Sequence, residues 1–270
     1  MASGAKSTEP LLGEQEPKVG WSLFGWTRLV GWRGDGTNRV AWKSLCTGLL
    51  FVVIGLYFYI VNSVPQRLML DIMATCFAAK GLVEVWGQDT PTWICPGTVF
   101  MLFVIYGGIM PWVLYSYGIC VHEPDINFSH VHLLGFVMYI FGSVYSLAYE
   151  VGRFRWKKLP ENKGKLHTID LAALSIHPNY FGDLFTYSGW ALACGTTCAL
   201  NVPATMVFTF AFVVIPNSDA YLATKYEGQW EPYAEKTATL IPGLKSTLAL
   251  KVLGVICLVL AIYLNGRCVM

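Results

Sequence analysis

Two stretches of this chain concentrate the side chains that can hold an anionic, partly aromatic ligand. The first reads Tyr149-Glu-Val-Gly-Arg-Phe-Arg-Trp-Lys-Lys-Leu-Pro-Glu-Asn-Lys-Gly-Lys165 and continues to Ser175-Ile-His-Pro-Asn-Tyr-Phe-Gly-Asp183. The second comprises Asp219-Ala-Tyr-Leu-Ala-Thr-Lys-Tyr226, Trp230-Glu-Pro-Tyr233 and Leu240-Ile-Pro-Gly243. Guanidinium and ammonium groups suit phosphates, and aromatic faces suit a base. The pattern therefore points to a nucleotide cofactor. Asn179 and Asp183 are four apart and would share one helical face. Both types also cap helix starts, so capping and cofactor contact stay open for each. His177, followed by Pro178, fits helix entry better than direct chemistry. No metal centre is expected: Cys194 and Cys198 are four apart without further ligands nearby, and His130 and His132 lack a third.

These groups need elements to position them, and the composition says which. The chain has 270 residues, 54% hydrophobic and 13% charged, with net charge +2. That is about half the usual charged fraction of a soluble domain. The small net charge also excludes a nucleic-acid partner. The reading is an all-α polytopic membrane helix bundle of about seven spans, each needing roughly 20 apolar residues. The stretches are about Ser44–Val61, Leu68–Trp86, Pro96–Cys120, Val131–Tyr149, Leu184–Leu200, Val202–Ile215 and Leu248–Leu264. Asn201–Pro203 should break the fifth from the sixth. Residues 1–43 read as a partly disordered cytoplasmic tail and 44–270 as the membrane domain. Most cysteines lie in or beside apolar runs, where a free thiol packs as a small hydrophobe. Lys and Arg crowd the tail and the loops 150–183 and 217–246, whereas the loop 121–129 carries only Glu123 and Asp125. By the positive-inside bias, both basic loops are cytoplasmic and the acidic loop lies across the membrane.

The motif set resembles a known superfamily. Pro160-Glu-Asn-Lys-Gly164, His177-Pro-Asn-Tyr-Phe-Gly-Asp183, Trp190, Lys225-Tyr226, Trp230, Tyr233 and Ile241-Pro242 look like the steroid 5α-reductase and sterol reductase superfamily. The likeness covers about Tyr145 to Leu244. More distantly, His-Pro-x-Tyr is similar to the isoprenylcysteine carboxyl methyltransferases. The resemblance implies an integral membrane reductase, in the endoplasmic reticulum or another organelle membrane, with NADPH in its cytoplasmic loops and a lipid-like enone among its helices. It assigns Asn179, Asp183 and, in support, Tyr180 to the nicotinamide and ribose end, with Tyr233 in the same pocket and His177 beside it. Arg153, Arg155 and Lys165 are the implied phosphate partners. Two positions depart from the pattern: Ile176 precedes His-Pro where relatives carry arginine, and Asn217-Ser-Asp219 stands where another arginine is usual.

Charges at membrane depth are costly and point to function. Asp71, Lys80 and Glu84 lie in the second span, and Lys80 and Glu84 are spaced to neutralise each other. Reducing an enone leaves negative charge on its carbonyl oxygen, which an acid or phenol must stabilise. Glu84 or Tyr106 could serve. Three functions stand: an NADPH reductase acting on a lipid-like small molecule, a membrane S-adenosylmethionine methyltransferase, and an inactive subunit of a membrane complex.

Overall fold

The computed structural model describes residues 36–60, 67–87 and 128–268, with side chains at all but 36–43, 45–46, 60, 84–85, 87 and 265–268. The expected third span, with Tyr106, falls outside the described residues. Glu84 lies on a described helix, but its side chain does not belong to the described set.

Helices α1 (Gly36–Ile60) and α2 (Arg67–Gly87) pack side by side. On α1, Leu50, Val53, Ile54 and Tyr57 recur at helical spacing and are buried, in one cluster with Leu70, Met73, Ala74 and Ala78 of α2. The other side of α1 leaves Phe51, Val52, Leu56 and Tyr59 exposed, as a lipid-facing surface would. Helix α1 begins eight residues before the expected Ser44.

Helix α3 (His130–Lys158) and helix α5 (Pro178–Cys194) form the centre of the fold. The buried face of α3 is His132, Gly135, Tyr139, Gly142 and Ser146. Opposite lie Gly182, Thr186, Gly189 and Ala193 of α5. A Cβ at Gly135 would strike the Ala193 nitrogen and Gly189 oxygen, and one at Gly189 the Tyr139 nitrogen and Gly135 oxygen. Only glycine lets these backbones touch, which is how membrane helices associate without a hydrophobic driving force. Trp190 is fully buried beside the seam, edge-on to Tyr57, Phe77 and Tyr139 at 5.4, 5.6 and 5.5 Å. Such pairs add about 0.5–1.5 kcal/mol each beyond area. The polar atoms close as well: the Trp190 indole donates to the Tyr57 hydroxyl at 2.8 Å, and the Tyr139 hydroxyl to the Met73 carbonyl at 2.6 Å.

Three boundaries differ from expectation. Helix α3 does not stop at Tyr149 but runs on to Lys158. Arg153 bonds Glu150 one turn back at 3.0 Å, the Lys158 ammonium sits 4.2 Å above the Phe154 ring, and cations suit a helix C-terminus. At 29 residues α3 is about 43 Å long, more than the roughly 30 Å hydrocarbon core, so its charged end stands clear. Helix α5 starts at Pro178, six residues before the expected Leu184. The break before the next helix falls at Gly195, not at Asn201–Pro203. Gly195 has φ +75°, and a Cβ there would meet the His132 ring. Residues Cys198–Leu200 form a 3-10 turn, and Pro203 is third in the α-helical stretch Asn201–Thr209 that continues it, so its missing N–H falls where the α-helical ladder is only starting.

Helix α6 (Cys198–Lys225) is continuous through both the expected break and the expected loop. It widens to a π turn at Phe210–Val214, because Pro216 supplies no N–H to the ladder just beyond. Short helices α4 (Leu171–Leu174) and α7 (Trp230–Lys236) lie in the connections, and α8 (Thr247–Cys268) packs on α6. Among the described residues there is no strand, and three helices, His130–Lys158, Cys198–Lys225 and Thr247–Leu264, are long and apolar enough to cross a membrane. One cysteine departs from the expected thiol state: Cys198 is disulfide-bonded, while Cys76, Cys194 and Cys257 keep their thiols. Cys198 lies at the turn between α5 and α6, the end of the bundle away from the basic connections.

Candidate functional site

The C-terminus of α3, the N-terminus of α5 and the C-terminal half of α6 meet at one end of the bundle. The chain enters α5 through a brace built by the downstream segment. Ser175 pairs with Ala238, the Ile176 N–H donates to the Ala238 carbonyl at 2.8 Å, and the Ser175 hydroxyl to the Leu240 carbonyl at 2.8 Å. The Tyr233 hydroxyl donates to the Ala172 carbonyl at 2.7 Å, and burial pushes its pKa upward. Tyr233, assigned from the resemblance to the cofactor pocket, thus has its hydroxyl engaged in holding the entry loop. Ile176 packs with Trp230 and Tyr233 in an apolar cluster, which accounts for an aliphatic residue before His-Pro.

His177 takes the N-cap position of α5 with its backbone, yet its ring does not cap. Its Nε2 lies 2.7 Å from Asp219 Oδ1, a pair that joins α5 to α6. The ring stacks on Tyr180 at 5.1 Å, and Tyr180 stacks on Phe210 of the π turn at 5.0 Å. The departure at Asn217-Ser-Asp219 therefore supplies a carboxylate to the histidine.

Asn179 and Asp183 fall on one turn of α5, as their spacing requires, and neither is its N-cap. Asn179 is half-buried and makes no side-chain hydrogen bond among the described residues. Asp183 accepts from Lys80 Nζ at 2.9 Å and from the Ser146 hydroxyl at 3.2 Å, both on Oδ1. Lys80 is thereby bound across the bundle to Asp183, a partner that the expected pairing with Glu84 did not include.

Of the three expected phosphate partners, Arg153 lies inward while Arg155 and Lys165 are exposed. Arg153 bonds Glu150 through Nη2 and lies 5.9 Å from the Tyr149 ring centroid; its Nε is buried without a partner. Beside it the loop folds back and places His167, 6% exposed, against Trp156 at 4.9 Å and Tyr149 at 6.0 Å. Neither ring nitrogen of His167 has a hydrogen-bond partner. Burial holds its pKa below the usual histidine range; Asp170 opposes this, and Arg153 and Lys157 add to it. Gln229 clamps the loop, accepting from the Leu166 N–H at 3.0 Å and donating to the Gly164 carbonyl at 3.2 Å.

Sequence reasoning missed His167, Trp156, Ser146 and the pairing of Asp219. His167 and Trp156 carry no diagnostic spacing, and the pairs Ser146–Asp183 and His177–Asp219 join residues 37 and 42 apart. No group of three or more His, Cys, Asp or Glu positioned to hold a metal occurs among the described residues.

The fold and this site define a helical membrane protein with a polar, aromatic cluster at one end of its bundle. Residues 77–237 match the family described as "Protein of unknown function (DUF1295)", and the chain belongs to that family. Over 88 residues the chain is 34% identical to the "Probable O-methyltransferase ustE" of Ustilaginoidea virens, a match covering 32% of this chain and 31% of that protein. No solved structure matches the chain.

Proposed function

We propose that this protein is a membrane reductase, in the endoplasmic reticulum or another organelle membrane, that uses NADPH to reduce a carbon–carbon double bond in a steroid or other lipid-like enone. The observation that carries the reading is the set of unsatisfied polar groups where α3, α5 and α6 meet. The Arg153 Nε lies beside the Tyr149 ring and both His167 nitrogens beside Tyr149 and Trp156, all without partners, and the half-buried Asn179 amide makes no hydrogen bond among the described residues. Buried donors without acceptors cost about 1–3 kcal/mol each, so an acceptor-rich ligand would relieve a standing cost. The residues fit NADPH. Arg153, with the exposed Arg155 and Lys165 at the rim, would take its phosphates, and Asn179 and Asp183 its amide and hydroxyl groups. Bound there, NADPH would supply a hydride. The protein's own part is to exclude water with its apolar bundle and to hold a proton donor inside it, for which Glu84, one turn after Lys80 on α2, is the first candidate and Tyr106 the second.

The methyltransferase-named relative favours a second reading, in which the same end of the bundle holds S-adenosylmethionine. The density of cations there favours the more anionic cofactor. Thermal unfolding of the purified full chain, with NADPH, NADH or S-adenosylmethionine added, separates the readings. A ligand at 100 times its Kd stabilises by about 2.7 kcal/mol. Stabilisation by NADPH alone is expected. Stabilisation by S-adenosylmethionine alone would replace this reading with the second. A response to neither would leave a structural membrane subunit.

A further inference from the structure

Lys80 is the only charge between Ile72 and Val83, and its side chain is 11% exposed. A cation at that position needs a reason. One counterion, Asp183, lies 103 residues away on another helix and is 27% exposed. Lys80 and Ser146 converge on the same oxygen, Oδ1. The other oxygen takes no hydrogen bond from the described residues and is not enclosed. A carboxylate held by two donors through one oxygen has a fixed plane, and its second oxygen then points in a fixed direction. One turn nearer the loops is Asn179, whose amide also makes no side-chain hydrogen bond. The pair offers an open acceptor beside an open amide on one helical face. A bridge whose sole task was neutralisation would gain from engaging both carboxylate oxygens, as a fully satisfied buried pair does.

We infer that Lys80 is a positioning residue of the site, one that fixes Asp183 so that Oδ2 accepts from a hydroxyl or carboxamide N–H of the bound ligand. The inference rests on the proposed cofactor reading and deepens it. It assigns α2, from outside the two loop segments, a part in binding. No proton or group transfer is required of Lys80 itself.

The test compares NADPH affinity with thermal stability in the detergent-solubilised full chain, for wild type, Lys80→Met, Lys80→Arg and the exchange Lys80→Asp with Asp183→Lys. Lys80→Met should weaken NADPH binding by about tenfold or more, the scale of one charge-assisted hydrogen bond. Lys80→Arg should retain binding. The exchange should restore the unfolding temperature, because the bridge re-forms, but not the binding, because no carboxylate is then offered from α5. If the exchange restores both, the pair is only a tie between helices and the inference is wrong. Unchanged affinity in Lys80→Met overturns it equally. Should Lys80→Met not fold, Lys80→Arg against the exchange gives the same decision. Wild-type protein that binds neither NADPH nor S-adenosylmethionine removes the cofactor reading and this inference with it. Wild-type binding with unaffected variants removes the inference alone.

Discussion

The seam between α3 and α5 and the loop end of the same two helices are built on opposite terms. Along the seam, glycine brings backbone against backbone, and the deep polar atoms of Tyr139, Trp190 and Thr186 all have partners. At the loop end, a few turns away, the Arg153 Nε, the Tyr145 hydroxyl and both His167 nitrogens have none. Buried polar groups in folded proteins are nearly all satisfied, so a local concentration of exceptions needs explaining. One pair of helices thus carries a closed half and an open half. The closed half fixes the geometry, and the open half is where a ligand would complete it.

The seam is where a single change should do most damage. Gly189→Val places a side chain against the Tyr139 nitrogen and Gly135 oxygen, backbone atoms that cannot rotate away. Loss of about 3 kcal/mol or more, or failure to fold, is expected. Thermal unfolding in detergent reads this directly. Gly152→Val serves as control, because a Cβ at Gly152 meets nothing within 4 Å and should change stability little. Equal effects at both positions would mean that the seam is not the structural half.

The next effect is on chemistry, not folding. Glu84→Gln retains shape and hydrogen bonding but cannot give a proton. Under the reductase reading, turnover of an enone should fall by about a hundredfold or more, the scale of acid–base groups, with NADPH affinity little changed. Turnover that survives would move the donor to a phenol such as Tyr106.

How far the sequence foretold these halves depends on the range of each interaction. Apolar runs are local, so α2 and α8 lie close to their expected spans and the core of α3 sits where hydropathy put it. Helix ends were missed wherever polarity and helicity part company. The segment Glu150–Lys158 is too charged for a span, yet its i,i+3 and i,i+4 contacts continue the helix. Pro203 reads as a breaker only if the α-helical ladder is already established there, and it is just starting at Asn201. At the site, Asn179, Asp183, Tyr180 and His177 were legible as one stretch of sequence, with Arg153 expected as a phosphate partner. Their partners were not. Helical spacing offered Lys80 a neighbour in Glu84, and nothing local could offer Asp183.

Within the open half, Asn179→Ala should weaken NADPH binding by about tenfold, one amide hydrogen bond to a charged or polarised group. It should leave the unliganded unfolding temperature nearly unchanged, because the side chain makes no hydrogen bond among the described residues. Isothermal titration beside thermal unfolding checks both statements. A fall in unliganded stability would assign Asn179 to the closed half after all.

The smallest expected effect is the dependence of stability on pH through His167. Its folded pKa is depressed, chiefly by burial and further by Arg153 and Lys157, so the unfolded chain binds the proton more readily than the folded one. Stability then rises with pH wherever the unfolded state holds more protons. The contribution is complete above the ordinary histidine pKa of about 6.5 and is lost as pH falls through the lower folded value. Unfolding temperature should therefore drop between about pH 7 and pH 5, and His167→Phe, which keeps a ring against Trp156 and Tyr149 but cannot charge, should flatten that drop. The difference between the two profiles isolates this ring from the other titrating groups. NADPH phosphates beside Arg153 would offset part of the local positive charge and raise the folded pKa of His167 toward its free value. Saturating cofactor should thus shrink the wild-type slope toward that of His167→Phe. A slope that ignores both the substitution and the cofactor would separate His167 from the open half.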